Sequence, residues 1–184
     1  MLPVIFQRRA VYPAQFNQEV VTPEELETLF EAANWAPTHR RTEPWRFKVF
    51  SSESSRSLLG EFLEATSRRT VGKPSEVKAV KIAQKPLLSA AVIAICMRRD
   101  PNVSVPEWEE VAATAMAIQN LWLQASAMGI GGYWSSPALK DHIGEHIDLE
   151  EGERCLGFFY LGKYDGELEA GRRETSGVDK VQWY

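Results

Sequence analysis

Residues 107–135 read EWEEVAATAMAIQNLWLQASAMGIGGYWS, and this stretch decides the fold. Its apolar positions recur at alternating steps of four and three, which is the spacing of one face of an α-helix: Val111, Ala115, Ile118, Trp122 and Ala125. Small, apolar and amide residues fill the other faces, so the helix predicted over 107–128 is covered on all sides, either inside one subunit or between two. The glycines that follow end this helix, and a strand is predicted over 130–135.

The same stretch is long enough to be tested as a membrane span, because residues 111–139 contain no charged side chain. Gln119, Asn120 and Gln124 interrupt it, as does the glycine-rich break at Gly129, so it falls short of a continuous apolar span. Residues 1–10 carry two arginines after a short apolar run and lack the core of a signal peptide. We therefore expect a soluble, cytoplasmic protein.

Length and composition set the broad class of the chain. With 184 residues, 44% hydrophobic, 10% aromatic and 25% charged, the chain has the values of one globular domain covering 1–184. A formal charge of −4 argues against a nucleic-acid or anionic-membrane partner. Cys96 and Cys155 lie in apolar runs, as reduced core thiols usually do, and a disulfide between them stays an open alternative.

The clearest helix start lies near the N-terminus. Thr22 suits the N-cap, Pro23 the first helical position, and Glu25 completes a capping box. Apolar residues then follow at helical spacing: Leu26, Leu29, Phe30 and Ala33. The helix is expected to end before Pro37, because the residue ahead of a proline is disfavoured in the α region.

The remaining elements alternate between helix and strand. Strands are predicted over 46–50, 87–97, 130–135 and 155–161, and Val181–Tyr184 suits a small terminal strand. Further helices are predicted over 54–69, 75–84 and 137–146. This alternation around one apolar sheet predicts a three-layer arrangement with helices on both faces, with the strand order left open.

Four polar signals stand apart from this pattern. They are the pair Arg8–Arg9, the loop APTHRRTEPWRF at 36–47, the turn GIGGYWS at 129–135 and the pair Arg172–Arg173. Each one alone fits ordinary structure: arginine pairs are usually solvated, and a glycine cluster after a helix usually caps it.

Taken together and in this order, these segments resemble the nitroreductase family, most closely its short bacterial NAD(P)H nitroreductases. The resemblance also includes the amides Gln119 and Asn120 on the long helix and the strand LGFFYLG at 156–162. It implies an α+β fold of three layers (α/β/α) with a mainly antiparallel sheet. It further implies a homodimer with the long helix at the interface and FMN in a groove that both subunits line. The terminal Val181–Tyr184 is then expected to add to the partner's sheet.

The implied activity is that of a flavin oxidoreductase. NADH or NADPH acts as a transient donor, and hydride passes in ping-pong order to a small electrophile such as a nitroaromatic or a quinone. The cofactor carries the chemistry, and the protein positions and tunes it, so no side chain need act as a nucleophile.

The resemblance also implies the residues that hold the flavin. Arg8 and Arg9 match the arginines that contact its phosphate and pyrimidine side, and planar guanidiniums suit phosphate oxygens. His39 and Trp35 match flavin contacts, and Arg172 and Arg173 fall where a basic residue reaches the phosphate. The last set lies on the glycine turn, whose glycines permit close backbone approach to the ring: Gly131, Gly132, Tyr133, Trp134 and Ser135.

Three positions depart from the family pattern. Ala10 stands where members carry a serine whose hydroxyl helps to hold the phosphate, which predicts weaker FMN retention or compensation by Arg172 or Arg173. Arg41 and Glu43 stand where many members have asparagine and glutamine. These two changes leave the substrate preference open.

Two competing interpretations remain. A flavin-binding carrier or sensor without turnover has the same fold and the same arginines. The second is metal-dependent hydrolysis, because residues 142–146 read HIGEH and match the pattern H-x-x-E-H, with two imidazoles and a carboxylate. Gly144 weakens such a helix turn, so we favour an ordinary surface helix.

Overall fold

Four strands pair into one antiparallel sheet in the computed structural model, which describes residues 2–70 and 76–184. The strands are β1 (Trp45–Phe50), β2 (Ala91–Arg98), β3 (Ile130–Ser135) and β4 (Glu153–Lys163). Their spatial order is β1-β2-β4-β3, so β2 and β4 are central. The antiparallel sheet expected from the family resemblance is confirmed, and its order is now defined.

Five α-helices accompany this sheet within the described residues. They are α1 (Pro3–Gln7), α2 (Pro23–Asn34), α3 (Glu53–Thr70), α4 (Glu76–Leu87) and α5 (Glu107–Ala127). Short 3-10 turns lie at Pro13–Gln15, His39–Arg41, Ala138–Glu145 and Val178–Lys180. No helix within 2–70 and 76–184 has the length and hydropathy needed to cross a membrane.

The core divides into two clusters, one on each face of the sheet. The first packs α2 and α5 on side chains that include Ile93, Ile95 and Phe159. The second packs α3 and the 3-10 turn 138–145 on Phe158 and its neighbours. Side chains of one strand alternate between the faces, which is why consecutive residues 158 and 159 belong to different clusters. The three-layer prediction is confirmed.

The start and end of α2 follow from its sequence. The Thr22 hydroxyl accepts from the Glu25 amide at 3.2 Å, and the Glu25 carboxylate accepts from the Thr22 amide at 2.8 Å. This reciprocal pair satisfies two amides that lack helical partners. The helix ends at Asn34, ahead of Pro37, as predicted.

Several boundaries differ from the sequence prediction. The helix predicted over 75–84 extends to Leu87, and its first residue, Ser75, lies outside the described residues. Pro86 lies in its last turn, where a missing amide costs at most one helical bond. The strand predicted from residue 87 therefore begins only at Ala91. The helix predicted over 137–146 is a 3-10 turn.

The two termini of the chain differ from the sequence prediction in different ways. The short helix α1 was not predicted, so α2 is the second helix of the chain. Among the described residues of this single chain, Val181–Tyr184 pair with no strand and lie exposed, so their expected pairing with a partner's sheet stays a prediction. The outer edge of β3 already pairs with residues 10 and 11, whose backbone lies against Gly132.

Candidate functional site

Three arginines from the two ends of the chain, Arg8, Arg9 and Arg173, form what we call the arginine cluster. The Arg8 guanidinium lies over the ring of Trp122, 4.2 Å from its centroid. Burial, followed by the positive charges of Arg173 and Arg9, holds the pKa of Arg8 below its ordinary value. Among the described residues, Arg8 has no carboxylate partner. A half-buried cation among like charges favours binding of an anion.

Arg9 has a different role from Arg8. Its Nε donates to the carbonyl of Glu169 at 3.0 Å, and its Nη1 donates to the carbonyls of Phe6 and Arg8. Gly171 lies directly against this guanidinium, since a Cβ there would be 2.4 Å from Arg9 Cζ. Arg9 thus fastens the C-terminal segment to the N-terminal one.

The N-terminal segment is carried to the sheet by backbone pairing. Ala10 forms a parallel bridge with Gly132, and the Val11 amide donates to the Gly132 carbonyl at 3.0 Å. Just beyond, the rings of Tyr12 and Tyr133 are in contact, with centroids 4.6 Å apart. The arginine pair and the double-glycine turn, which are far apart in sequence, therefore lie side by side. Ala10 itself is exposed and offers only a methyl group.

Both glycines of this turn, Gly131 and Gly132, are packed so closely by other residues of the chain that a side chain would not fit. A Cβ on Gly131 would lie 2.8 Å from Val11 Cβ, and one on Gly132 would lie 2.5 Å from Phe159 Cζ. The structure thus gives an internal packing reason for residues that the sequence analysis assigned to close approach of the flavin. The Trp122 ring also closes on Gly132, 3.1 Å from the Cβ position through its Nε1.

The rest of the turn is half-buried. Tyr133 lies between Tyr12 and Tyr160, whose ring centroid is 6.2 Å away. Trp134 packs on the α2–α5 side of the core, and its buried Nε1 has no hydrogen-bond partner among the described residues. Ser135 ends β3.

A pocket of about 560 Å³ borders the arginine cluster. Arg9, Val11, Gly131 and Tyr164 line it together with residues 166–170. The pocket therefore combines the N-terminal segment, the start of β3 and the C-terminal segment. Its cationic side comes from Arg9, while Glu167 and Glu169 also border it.

The His39 turn lies elsewhere in the single chain. The His39 ring pairs with the carboxylate of Glu109 in the first turn of α5, and 59% of its side chain is exposed. Trp122, beneath Arg8, lies thirteen residues further along α5, about 20 Å away at the rise of a helix. Trp35 is 79% exposed, and its Nε1 donates to Glu31 at 2.8 Å. Within one subunit the predicted contacts thus form two groups, not one.

The loop after His39 has strained backbone. Arg40, Arg41 and Glu43 have φ values of 52°, 56° and 42°, in the left-handed region that non-glycine residues rarely adopt. The Thr38 hydroxyl accepts from the Glu43 amide at 3.2 Å, which helps to hold this shape. Such strain clusters at functional sites. Both arginines are exposed on this loop.

Comparison with known proteins identifies the family. The sequence profile of the Nitroreductase family matches residues 5–163. The chain belongs to the nitroreductase family. It is 28% identical to the "Putative NAD(P)H nitroreductase YdjA" of Escherichia coli K12, over 88% of this chain and 86% of that protein. It is 29% identical to the "Putative NAD(P)H nitroreductase YfhC" of Bacillus subtilis, over 92% and 87% of the two chains.

Solved structures show the same family fold. The nitroreductase-like family protein from Bacillus cereus is 30% identical, with a TM-score of 0.82 over 98% of this chain and 94% of that chain. A structure from Desulfovibrio desulfuricans, described as a nitroreductase in complex with FMN, is 20% identical. Its TM-score is 0.73 over 100% of this chain and 96% of that chain, which shows that the fold is shared.

The H-x-x-E-H segment of this nitroreductase-family chain does not converge on a metal. His142 Nδ1 lies 2.9 Å from Glu145, whose other oxygen lies 2.6 Å from Arg69. His146 instead stacks on the rings of Phe62 and Phe50, with centroids 4.9 and 6.0 Å away. Within residues 2–70 and 76–184, no group of three histidine, cysteine or acidic side chains is placed to bind an ion. In the described residues this segment is used for an ion pair and an aromatic stack.

The aromatic setting of His146 predicts a pH effect on stability. Burial holds the pKa of His146 below its ordinary value of 6.5. Below pH 6.5 the His146 side chain takes up a proton more readily in the unfolded chain than in the folded one. The free energy of unfolding is therefore highest above pH 6.5 and decreases as the pH falls. We expect the melting temperature to drop between pH 7 and pH 5. His146→Phe, which keeps an aromatic ring, is expected to flatten that drop, and an unchanged slope would contradict the assignment.

Sequence reasoning missed two parts of this nitroreductase-family site. Trp122 was assigned only to an apolar helix face, yet it supports the Arg8 guanidinium. Its position in the uncharged part of the long helix, residues 111–127, was the available signal. Glu169 and Gly171, which fasten Arg9, lie in a segment without periodicity, and only their nearness in sequence to Arg172–Arg173 pointed to them.

Proposed function

We propose that this chain is an FMN-dependent NAD(P)H oxidoreductase that reduces small electrophiles such as nitroaromatics or quinones. One observation carries the proposal: in a member of the nitroreductase family, the half-buried Arg8 lies over Trp122 and has no carboxylate partner among the described residues. The positive charges of the exposed Arg173 and of Arg9 act on it as well. The names of the relatives and the FMN complex of a protein with the same fold support the same activity.

The arginine cluster fits the phosphate of FMN. This group carries nearly two negative charges, and guanidiniums bind its oxygens through paired, charge-assisted hydrogen bonds. Arg8 and Arg173 provide those donors, while Arg9 holds the segment that carries Arg173 in place. Bound FMN supplies hydride transfer from NADH or NADPH to the acceptor, in ping-pong order.

Arg173 compensates in part for Ala10, which stands where family members have a serine hydroxyl that contacts the FMN phosphate. Ala10 has no hydroxyl, and it lies two residues from Arg8 on the strand-like segment beside Gly132. Of the two C-terminal arginines, Arg173 is the one whose charge acts on Arg8. Both arginines are exposed, and the Arg173 side chain donates to the Arg172 carbonyl at 3.0 Å. We therefore assign compensation for Ala10 to Arg173.

A homodimer would unite the two groups of predicted contacts. The outward face of α5 carries no charge between residues 111 and 127, and it exposes Met116, Gln119 and Ala127. A second copy packed on this face in two-fold symmetry sets the His39 turn of one subunit near the arginine cluster of the other. In that arrangement the partner's Trp35 and the partner's His39 contact the flavin.

The exposed C-terminal segment fits the same assembly. Val178, Val181 and Trp183 are largely exposed in the single chain, with 68%, 48% and 83% of their surface accessible. Burying these side chains on a second subunit would remove apolar area from water, at about 25 cal/mol per Å². The terminal residues then gain the sheet partner that the single chain lacks. We retain the cytoplasm as the proposed location.

Absorption spectroscopy of the purified protein tests the function. We expect a flavin spectrum after addition of FMN, and saturable anaerobic bleaching of that spectrum by NADH or NADPH. A carrier or sensor would hold FMN but show no saturable bleaching. A protein that binds no FMN, or that holds FMN and oxidises neither nicotinamide, would contradict the proposal.

A further inference from the structure

The two cysteines of the chain are direct neighbours across the centre of the sheet. Cys96 on β2 is the register partner of Cys155 on β4, and both belong to the core cluster beneath α3. Paired residues of antiparallel strands have Cα atoms about 4.5–5.5 Å apart. That distance falls in the range of about 4.4–6.8 Å that a disulfide bond spans. The two thiols are therefore placed for a bond within one chain.

An irregularity of the strand lies beside this pair. The register of β2 and β4 shifts between Ile95 and Cys96, so that Leu156 has no partner of its own. Gly157 follows with a φ of 154°, and the Cys155 thiol donates to its carbonyl at 3.3 Å. A bulge of this kind increases the local twist and redirects side chains. The regular sheet is thus interrupted at the thiol pair.

The two sulfurs have unequal environments. The hydrogen bond from Cys96 lowers the pKa of Cys155, whereas the bond to Cys155 and burial raise the pKa of Cys96. Lys140 and Asp141 on the 3-10 turn 138–145 are the charged neighbours of Cys155. Lys48 and Glu153 are the charged neighbours of Cys96. Cys155 keeps 3% of its surface accessible and Cys96 keeps none, so a small oxidant meets Cys155 first. Cys96, its register partner, is placed to react second.

We propose that Cys96 and Cys155 are a reversible redox pair that a hydroperoxide converts to a cross-strand disulfide. In the first step the Cys155 sulfur attacks one oxygen of hydrogen peroxide and the O–O bond breaks. The other oxygen takes up the thiol proton and leaves as water, giving a sulfenic acid on Cys155. In the second step the Cys96 sulfur attacks the Cys155 sulfur, and the sulfenic oxygen leaves as a second water. Two thiols and one peroxide thus give one disulfide and two waters.

The strand geometry makes this disulfide easy to reduce. Cβ atoms of directly paired residues lie about 4.5–5.5 Å apart, whereas a relaxed disulfide has a Cβ separation of about 3.8 Å. Strained disulfides have higher reduction potentials and are the labile ones. Once formed, the bond closes a loop that contains α5 and β3, which restricts the unfolded chain and stabilises the fold.

Peptide mapping of the full-length protein tests the proposal. The native protein is treated with hydrogen peroxide, its remaining thiols are blocked with N-ethylmaleimide in denaturant, and it is digested with trypsin. We expect residues 82–98 joined to residues 155–163, and separation of the two peptides by dithiothreitol. The oxidised protein is expected to melt about 5 °C or more above the reduced one.

A matched variant defines the roles of the two cysteines. In Cys96→Ala, which keeps a small apolar side chain, peroxide is expected to take Cys155 to the sulfinic or sulfonic acid, because no second thiol follows. The wild-type mapping does not depend on how this variant folds. Recovery of both thiols blocked after peroxide, a bridge only between two chains, or over-oxidised Cys155 beside intact Cys96 in the wild type would each overturn the proposal.

Discussion

Replacing Arg8 by glutamine is expected to weaken FMN binding about 10- to 100-fold, because one charge-assisted contact contributes about 1.5–3 kcal/mol. The melting temperature of the cofactor-free protein is expected to change little. Loss of the contact with Trp122 is offset by relief from the charges of Arg9 and Arg173. Fluorescence titration of the apoprotein with FMN measures the affinity, and thermal denaturation without FMN measures the stability.

Two other arginines supply the controls for this experiment. Arg172→Gln removes an exposed neighbouring charge and is expected to leave FMN affinity within about twofold, as surface substitutions change energies by only about 0.5 kcal/mol. Arg9→Gln is expected to lower the melting temperature even without FMN, because it breaks the links to Glu169 and Phe6. If the Arg8→Gln variant binds FMN as tightly as the parent protein, the assignment of Arg8 to the FMN phosphate is contradicted.

Replacing Met116 by glutamate is expected to dissociate the proposed dimer and to weaken FMN binding more than 100-fold. Met116 is 40% exposed on the uncharged face of α5, and a carboxylate buried there against a second copy would have no cation to pair with. The contacts expected from the partner's Trp35 and the partner's His39 would be lost with the dimer. Light scattering measures the mass, and flavin fluorescence measures the affinity.

Leu58→Glu is the matched control. Leu58 is 55% exposed on α3, away from α5, so the same change from an apolar to an acidic side chain leaves the proposed interface intact. We expect this variant to remain dimeric and to bind FMN like the parent. A Met116→Glu protein that is monomeric but binds FMN with unchanged affinity would show that the site needs only one subunit.

Local sequence signals predicted much of the fold. The capping box of Thr22 and Glu25 and the periodicity of α5 correctly placed two helices, and β3 has its predicted ends. The capping residues and the apolar spacing that define these elements lie within a few residues of one another in the sequence. The five residues of α1 are too few to show a period. The strand expected over Val181–Tyr184 needs the edge of another strand as its partner, and the sequence around it does not specify that edge.

The site was predicted less completely than the fold, since it depends on distant contacts. The family resemblance selected Arg8 and Arg173, but only the folded chain shows that Arg173, and not Arg172, acts on Arg8. It also shows that Arg9 is used to fasten the chain ends. No sequence pattern predicted that His39 lies at the start of α5 while Arg8 lies near its end. Trp35 and His39 are therefore separated from the arginine cluster within one subunit, which only the folded chain shows.

The central claim is that arginines from both ends of the chain hold a flavin by its phosphate, and comparing FMN with riboflavin tests it most directly. Riboflavin has the same ring without the phosphate, so the ratio of the two dissociation constants isolates that group. We expect FMN to bind more than 100-fold more tightly than riboflavin, from two charge-assisted contacts of about 1.5–3 kcal/mol each. Equal dissociation constants for FMN and riboflavin would contradict the account.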